Sequence, residues 1–292
     1  MRSKFLSLLL LIVLLASTAC TPQATPAAPT TVLATQAPSP TAVPHTQAPA
    51  SSKTLTVLAA ASLTESFTEL GTMFETQNPG VKVSFNFAGS QQLAQQLDQG
   101  AAADVFASAS PKYMTAAVTS KRVNQADAQT FVKNRLDVIF PKDNPAGLTA
   151  LKDLAKPGLK IDLEDKSVPA GQYSLDFLDK VVKDPGFDPS FKDNVLKNVV
   201  SYETDVKAVV SKVSLGEVDA GIVYITDFNA AKDKLGKMDI PDALNTVAIY
   251  PIAPISDSKN ADLAKAFVAL VLSPDGQAVM AKYGFVPAAG DS

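Results

Sequence analysis

The chain has 292 residues, of which 46% are hydrophobic and 19% charged, values that allow one or two globular domains behind the N-terminal region. A net charge of −3 with no basic run excludes a nucleic-acid footprint, so no nucleic-acid partner is expected. There is one Cys (Cys20), one His (His45) and no Trp, and both Cys20 and His45 precede residue 50. The body therefore lacks imidazole and thiol groups, which excludes Ser-His-Asp and Cys-His catalysis, His- or Cys-based zinc sites and disulfides. Only oxygen-ligand metals, carboxylate chemistry or Lys chemistry remain open to an enzyme.

Residues 1–20 read as a secretory leader: Arg2 and Lys4, an apolar run from Phe5 to Ala16, then small residues. That run is too short to span a bilayer, which needs roughly 20 residues. Ser17-Thr18-Ala19-Cys20 is similar to a bacterial lipobox, although Ser17 stands where Leu is usual. Lipidation at Cys20 is expected, with plain cleavage after Ala19 as the competing outcome. Losing Arg2 and Lys4 with the leader leaves 24 basic against 29 acidic residues, near −5. Residues 21–53 read as a disordered tether, because from Thr21 to Ser52 the chain has seven prolines among Ala, Thr, Ser and Gln and carries no charge. His45 lies in this tether and has no assigned role.

From about Lys53, strands and helices alternate, which marks an α/β architecture. Strands are predicted at Leu55–Ala59, Val81–Phe87, Asp104–Ala107 and Leu136–Phe140, and helices at Ser62–Gln77, Gln91–Gln99 and Pro111–Ser120. Ser62 and Glu65 have the spacing of a capping box. A second set follows: strand Lys160–Leu163, a helix from about Tyr173 to Lys183, and helix Val206–Leu215 with Asp205 as N-cap. Strand Gly221–Tyr224 then leads to a turn or helix signal at Thr226-Asp227. Strand Thr246–Ile252 and helices Ala261–Leu272 and Pro274–Lys282 close the chain. No internal repeat occurs at a fixed period.

Four places share one device, in which small residues deliver the chain into a helix start: Ala61-Ser62, Gly89-Ser90, Ala170-Gly171 and Asp205-Val206. Small residues allow close backbone approach, and helix starts offer unpaired N–H groups and a favourable dipole. If these places converge, Ser62 and Ser90 offer hydroxyl and backbone donors, while Ala170 and Val206 offer backbone N–H groups. Tyr224, at a strand end, adds a phenolic O–H. Donors without acceptors fit a small, fully ionised oxyanion, each charge-assisted bond contributing roughly 1.5–3 kcal/mol. Each residue also has a structural reading: Ser62, Ser90 and Asp205 as simple caps, Pro169-Ala170-Gly171 as a plain loop, Tyr224 as a core aromatic. Residue types alone do not establish convergence.

Residues 54–286 resemble the periplasmic molybdate-binding protein family, the substrate-binding component of ABC importers. The motifs are Ala59-Ala60-Ala61-Ser62-Leu63-Thr64, Phe87-Ala88-Gly89-Ser90-Gln91-Gln92-Leu93-Ala94, Gly100-Ala101-Ala102-Ala103-Asp104-Val105-Phe106, Val168-Pro169-Ala170-Gly171, Asp205-Val206, Gly221-Ile222-Val223-Tyr224 and Tyr283-Gly284-Phe285. By this resemblance Ser62, Ser90, Ala170, Val206 and Tyr224 hold molybdate, and tungstate with it, as a tetrahedral oxyanion. They act as hydrogen-bond donors to the metal's oxo ligands and do not coordinate the metal directly. Glu164-Asp165 stands where the family often has Asp-Pro, and Gly89 where relatives often carry Ser. No match is seen to the related class that adds carboxylate ligands for octahedral coordination.

The resemblance implies a two-lobed type II periplasmic-binding-protein fold with a hinge of two crossover strands. Lobe one comprises 54–135 plus 250–292, and lobe two 136–249. It implies a monomer with no cofactor and no catalytic residues, exported and anchored through Cys20 to the outer face of the cytoplasmic membrane. That protein delivers its oxyanion to an ABC permease that supplies the ATPase, since the chain has no phosphate-binding Gly-x-x-x-x-Gly-Lys loop. The alternatives are another oxyanion such as sulfate, an exported Ser/Lys hydrolase using Ser256 and Lys259, and a tethered sensor.

Overall fold

The computed structural model describes residues 53–288. The leader, Cys20, His45 and nearly all of the tether lie outside the described residues. The chain forms two sheets flanked by helices. In the first half, β1 (Lys53–Ala60) runs through a short 3-10 turn, Ala61–Leu63, into α1 (Thr64–Gln77). Then come β2 (Val81–Ala88), α2 (Ser90–Asp98), β3 (Val105–Ala107), α3 (Pro111–Thr119) and β4 (Gln129–Asn134).

After the single residue Arg135 the chain enters the second sheet at β5 (Leu136–Pro141). That half contains β6 (Ile161–Glu164), α4 (Pro169–Val181), α5 (Phe191–Lys197), β7 (Val199–Glu203) and α6 (Val206–Ser214). It ends with β8 (Ala220–Tyr224), α7 (Ile225–Ala231) and β9 (Leu235–Asp239). The chain returns through β10 (Ala248–Pro254), α8 (Ala261–Leu272), α9 (Pro274–Lys282) and β11 (Val286–Pro287).

Strand order is β11-β4-β10-β3-β1-β2 in the first sheet and β7-β6-β8-β5-β9 in the second. The β1 strand pairs in parallel with β2 and β3, and β6 with β7 and β8, while β10 and β5 add antiparallel partners. The β4–β5 and β9–β10 connections are the two places where the chain passes between sheets. Buried aromatic rings fix the first sheet to its helices: Phe67 of α1 packs on Phe131 of β4 and on Phe267 of α8, at centroid distances of 5.8 and 5.9 Å. In the second sheet β8 is buried along its whole length, which explains its unbroken apolar run Ala-Gly-Ile-Val-Tyr.

Three local expectations are corrected. Ser62 is not a helix cap: it lies in the 3-10 turn, its hydroxyl bonds Tyr250, and α1 begins two residues later with no side-chain cap. Glu65 does not reach back to the backbone but pairs with Lys207, so the capping box is absent. Helix α4 starts at Pro169, four residues before the expected Tyr173, because Pro at the first helical position needs no N–H partner. The elements β4, α5, β7, β9 and β11 were not anticipated.

Candidate anion site

Six strand ends converge on one place. The carboxyl ends of β1, β2 and β3 in one sheet, and of β6, β7 and β8 in the other, all lead into residues that line a single cavity. Ligands of open α/β sheets bind at this edge, where strand ends feed helix starts. About 20 Å³ is open to the centre of a water-sized group. One such group needs roughly 10–15 Å³, so the cavity is on the scale of a small ion. Ser62, Ser90, Ala170, Val206 and Tyr224 all line it, so the structure brings together the five residues singled out in the sequence.

Ser90 occupies the first position of α2 and is 1% exposed. Its Oγ accepts the backbone N–H of Ala109 at 2.9 Å, which leaves the hydroxyl hydrogen available to donate. Ser62 is buried as well, with its Oγ 2.9 Å from the Tyr250 hydroxyl.

Ala170 is the second residue of α4, and the Pro169 before it has no N–H. The first N–H groups of the helix, those of Ala170 and Gly171, have no intrahelical acceptor. Gly171 allows this loop to close: a Cβ there would lie 2.2 Å from the Asp165 carbonyl oxygen and 2.5 Å from that of Glu164. Glycine is therefore required by close backbone approach, and its place fixes that of Ala170.

Asp205 is the N-cap of α6, as expected. Its Oδ1 accepts the N–H groups of Lys207 and Ala208 at 2.9 and 3.2 Å. The cap thus satisfies the second and third N–H groups of the helix and leaves the first, that of Val206, unclaimed at the cavity wall.

Tyr224 closes the site. Its ring packs edge-on against Tyr250 at 5.8 Å and the residue is 1% exposed. Its hydroxyl is buried near that of Tyr250, yet outside hydrogen-bond geometry, and has no partner. Burial pushes this phenol well above its ordinary pKa, so it keeps its proton and remains a donor. An orphaned buried O–H costs free energy unless a ligand accepts from it.

Glu164, at the end of β6, is 2% exposed with neither carboxyl oxygen hydrogen-bonded, and burial pushes it well above the usual carboxylate range. Among the described residues, no group of three or more His, Cys, Asp or Glu is placed to hold a metal ion. The cavity offers neutral donors.

Contacts between the halves surround the site. Gln91, beside Ser90, donates to the Thr204 carbonyl at 2.8 Å, and the Tyr113 hydroxyl donates to the Ser167 carbonyl. Gly89 permits the first of these, since a Cβ there would lie 2.4 Å from the Thr204 oxygen. Lys207 bonds both carboxylate oxygens of Glu65 at 2.9 and 2.8 Å and lies 3.1 Å from Asp227. Desolvation works against the ammonium, but the carboxylates of Asp227 and Glu65 outweigh it and raise its pKa. The sequence reading missed Lys207 and Tyr250. For Lys207 the signal was weak, an ordinary Lys in the first turn of a helix. For Tyr250 it was a Tyr inside a strand that otherwise reads as core.

Residues 55–286 match the model of a family described as bacterial extracellular solute-binding protein. The molybdate-binding protein ModA of Mycobacterium tuberculosis is 35% identical over 233 residues, covering 80% of this chain and 84% of that protein. Among solved structures, the periplasmic molybdate-binding protein of Azotobacter vinelandii superposes with a TM-score of 0.69 at 20% identity, covering 80% of this chain and 98% of that one. The sulfate-binding protein SubI of Mycobacterium tuberculosis superposes with a TM-score of 0.72 at 17% identity, covering 82% and 88%. At those identities the two structures establish the shared fold and do not separate one oxyanion from the other. The chain belongs to the family of bacterial extracellular solute-binding proteins.

Proposed function

We propose that this protein captures molybdate, and tungstate with it, as a tetrahedral dianion between its two halves and delivers it to an ABC permease. The single observation that carries the reading is the fully buried Tyr224 hydroxyl, which has no partner and lies in the wall of a cavity also lined by Ser62, Ser90, Ala170 and Val206. Each of these groups donates, so together they favour an anion that carries no proton of its own. Binding requires donors from both sheets, and the ligand therefore favours the closed arrangement over an open one. The 35% identity to a molybdate-binding protein supports molybdate over sulfate. The site needs no resident cofactor and performs no bond-breaking step.

The same reading makes the protein an exported monomer, anchored by lipid on Cys20, with the Pro-rich tether giving the body reach to its permease. Membership of an extracellular family supports export. Titration calorimetry with molybdate, tungstate, sulfate and phosphate tests the substrate. One-to-one binding of molybdate and tungstate, with sulfate at least about a thousandfold weaker, a gap of roughly 4 kcal/mol, is the expected result. Binding of sulfate or phosphate without molybdate would move the substrate and leave the fold standing.

A further inference from the structure

Two helices of the first half reach across to the loops that carry the backbone donors of the second. Gln91 is the second residue of α2 and Tyr113 the third of α3, and both line one groove on the surface between these helices. Gln91 Nε2 donates to the Thr204 carbonyl at 2.8 Å, and the Tyr113 hydroxyl donates to the Ser167 carbonyl. A carbonyl oxygen only accepts, so the direction of both bonds is fixed. Thr204 stands two residues before Val206 and Ser167 three before Ala170, so each bond holds the loop that presents one cavity N–H. Thr204 and Ser167 are exposed, and water satisfies their carbonyls once the halves part. Gly89 lets the two halves come this close. Its φ of −59° and ψ of 138° suit any residue, so clearance is what calls for glycine: a Cβ would lie 2.4 Å from the Thr204 oxygen.

We infer that Gln91 and Tyr113 are positioning residues that latch the closed arrangement, so that they govern how long a bound anion stays and not how fast it arrives. An anion reaches the donors of one half before the halves meet, and the two bonds form only afterwards. Their loss therefore falls on dissociation. Both bonds join neutral groups, so salt leaves them in place, unlike the Lys207–Glu65 ion pair. Neither side chain lines the cavity, so neither touches the ligand. The inference rests on the anion-binding reading above and adds to it the residues that set the lifetime of the complex.

The test is exchange of bound, isotopically labelled molybdate against excess unlabelled molybdate in the unaltered protein, Tyr113→Phe and Gln91→Met, with calorimetric affinity alongside. Dissociation should quicken about three- to tenfold in Tyr113→Phe, the scale of one neutral hydrogen bond. Gln91→Met should quicken it by about two- to threefold, a smaller change because closure also buries Gln91 Oε1 without a partner. The association rate, obtained from the two measurements, should stay within about twofold, and both dissociation ratios should persist at high salt. Ligand-free melting should not change, whereas loss of a residue that only supports the fold would lower it. Unchanged dissociation in Tyr113→Phe, or a slowed association that accounts for its lost affinity, overturns the latch. Unchanged dissociation in Gln91→Met removes Gln91 from it. If the unaltered protein binds sulfate in place of molybdate, labelled sulfate serves in the same experiment. Absence of oxyanion binding in the unaltered protein is a separate failure, which removes the anion-binding reading itself.

Discussion

Lys207 of α6 grips both carboxylate oxygens of Glu65 of α1, an ion pair that joins a helix on one sheet to a helix on the other. Lys207 follows Val206 directly, so the residue that offers a backbone N–H to the cavity is coupled to the residue that holds the halves together. The pair is partly exposed, with side-chain accessibilities of 29% and 37%, and salt weakens it. Glu65→Gln should weaken molybdate binding by about two- to fivefold, the range of a surface ion pair. Calorimetry at low and high salt checks this: the difference between the two proteins should shrink as salt rises.

Asp205 organises the start of α6. Asp205→Ala removes the acceptor for two N–H groups and should lower stability by about 1 kcal/mol, while releasing the fixed position of the Val206 N–H and weakening anion binding. Asp205→Asn keeps a capping oxygen and should retain both properties. Denaturant unfolding and calorimetry on the two variants separate the capping role from the effect of the charge.

Gly171 tests whether the position of Ala170 matters. A Cβ at residue 171 would press on two backbone carbonyl oxygens, neither of which belongs to a flexible side chain. Gly171→Ala should therefore displace the start of α4, at a cost of about 1–3 kcal/mol in stability with a larger proportional loss of molybdate affinity. Equal affinity in this variant would show that the Ala170 N–H is not part of the site.

Asp162 gives a pH dependence with a defined sign. It is 0% exposed in β6, and burial, followed by the neighbouring Glu203 carboxylate, pushes it from 3.8 up to about 7. The folded state therefore holds a proton that the unfolded chain releases. The stability associated with that proton is fully present below pH 3.8 and is lost as pH rises towards about 7. Asp162→Asn should remove this dependence and raise the melting temperature at pH values above about 7, by a few degrees. Melting curves across that window decide it.

Much of this site was legible in the sequence because its parts are local. Small residues at a strand end, Pro at the start of a helix and Asp before Val206 each announce an open helix terminus within a few positions. Tyr224 stood out as the polar end of an apolar strand. The partners that enclose the site were not legible, because they come from afar: Tyr250 lies 188 residues from Ser62, and Lys207 lies 142 residues from Glu65. That distance also explains the Ser62 error, since the cap spacing was present but a buried tyrosine took the hydroxyl. The missed strands β7 and β9 are at the edges of their sheet. Edge strands bury little, so Val200 and Tyr202 stay exposed and β9 reads Leu-Gly-Lys-Met-Asp, without a clear period of two.

The most direct test of the central claim is a paired measurement on Tyr224→Phe: the melting temperature without ligand and the calorimetric affinity for molybdate. The hydroxyl has no partner inside the protein, so its removal should leave the ligand-free fold as stable as before or more so. Molybdate affinity should nonetheless fall by about 10- to 100-fold, the loss of one charge-assisted hydrogen bond. Undiminished affinity would contradict the account, because the orphaned donor that carries it would then have no ligand to serve.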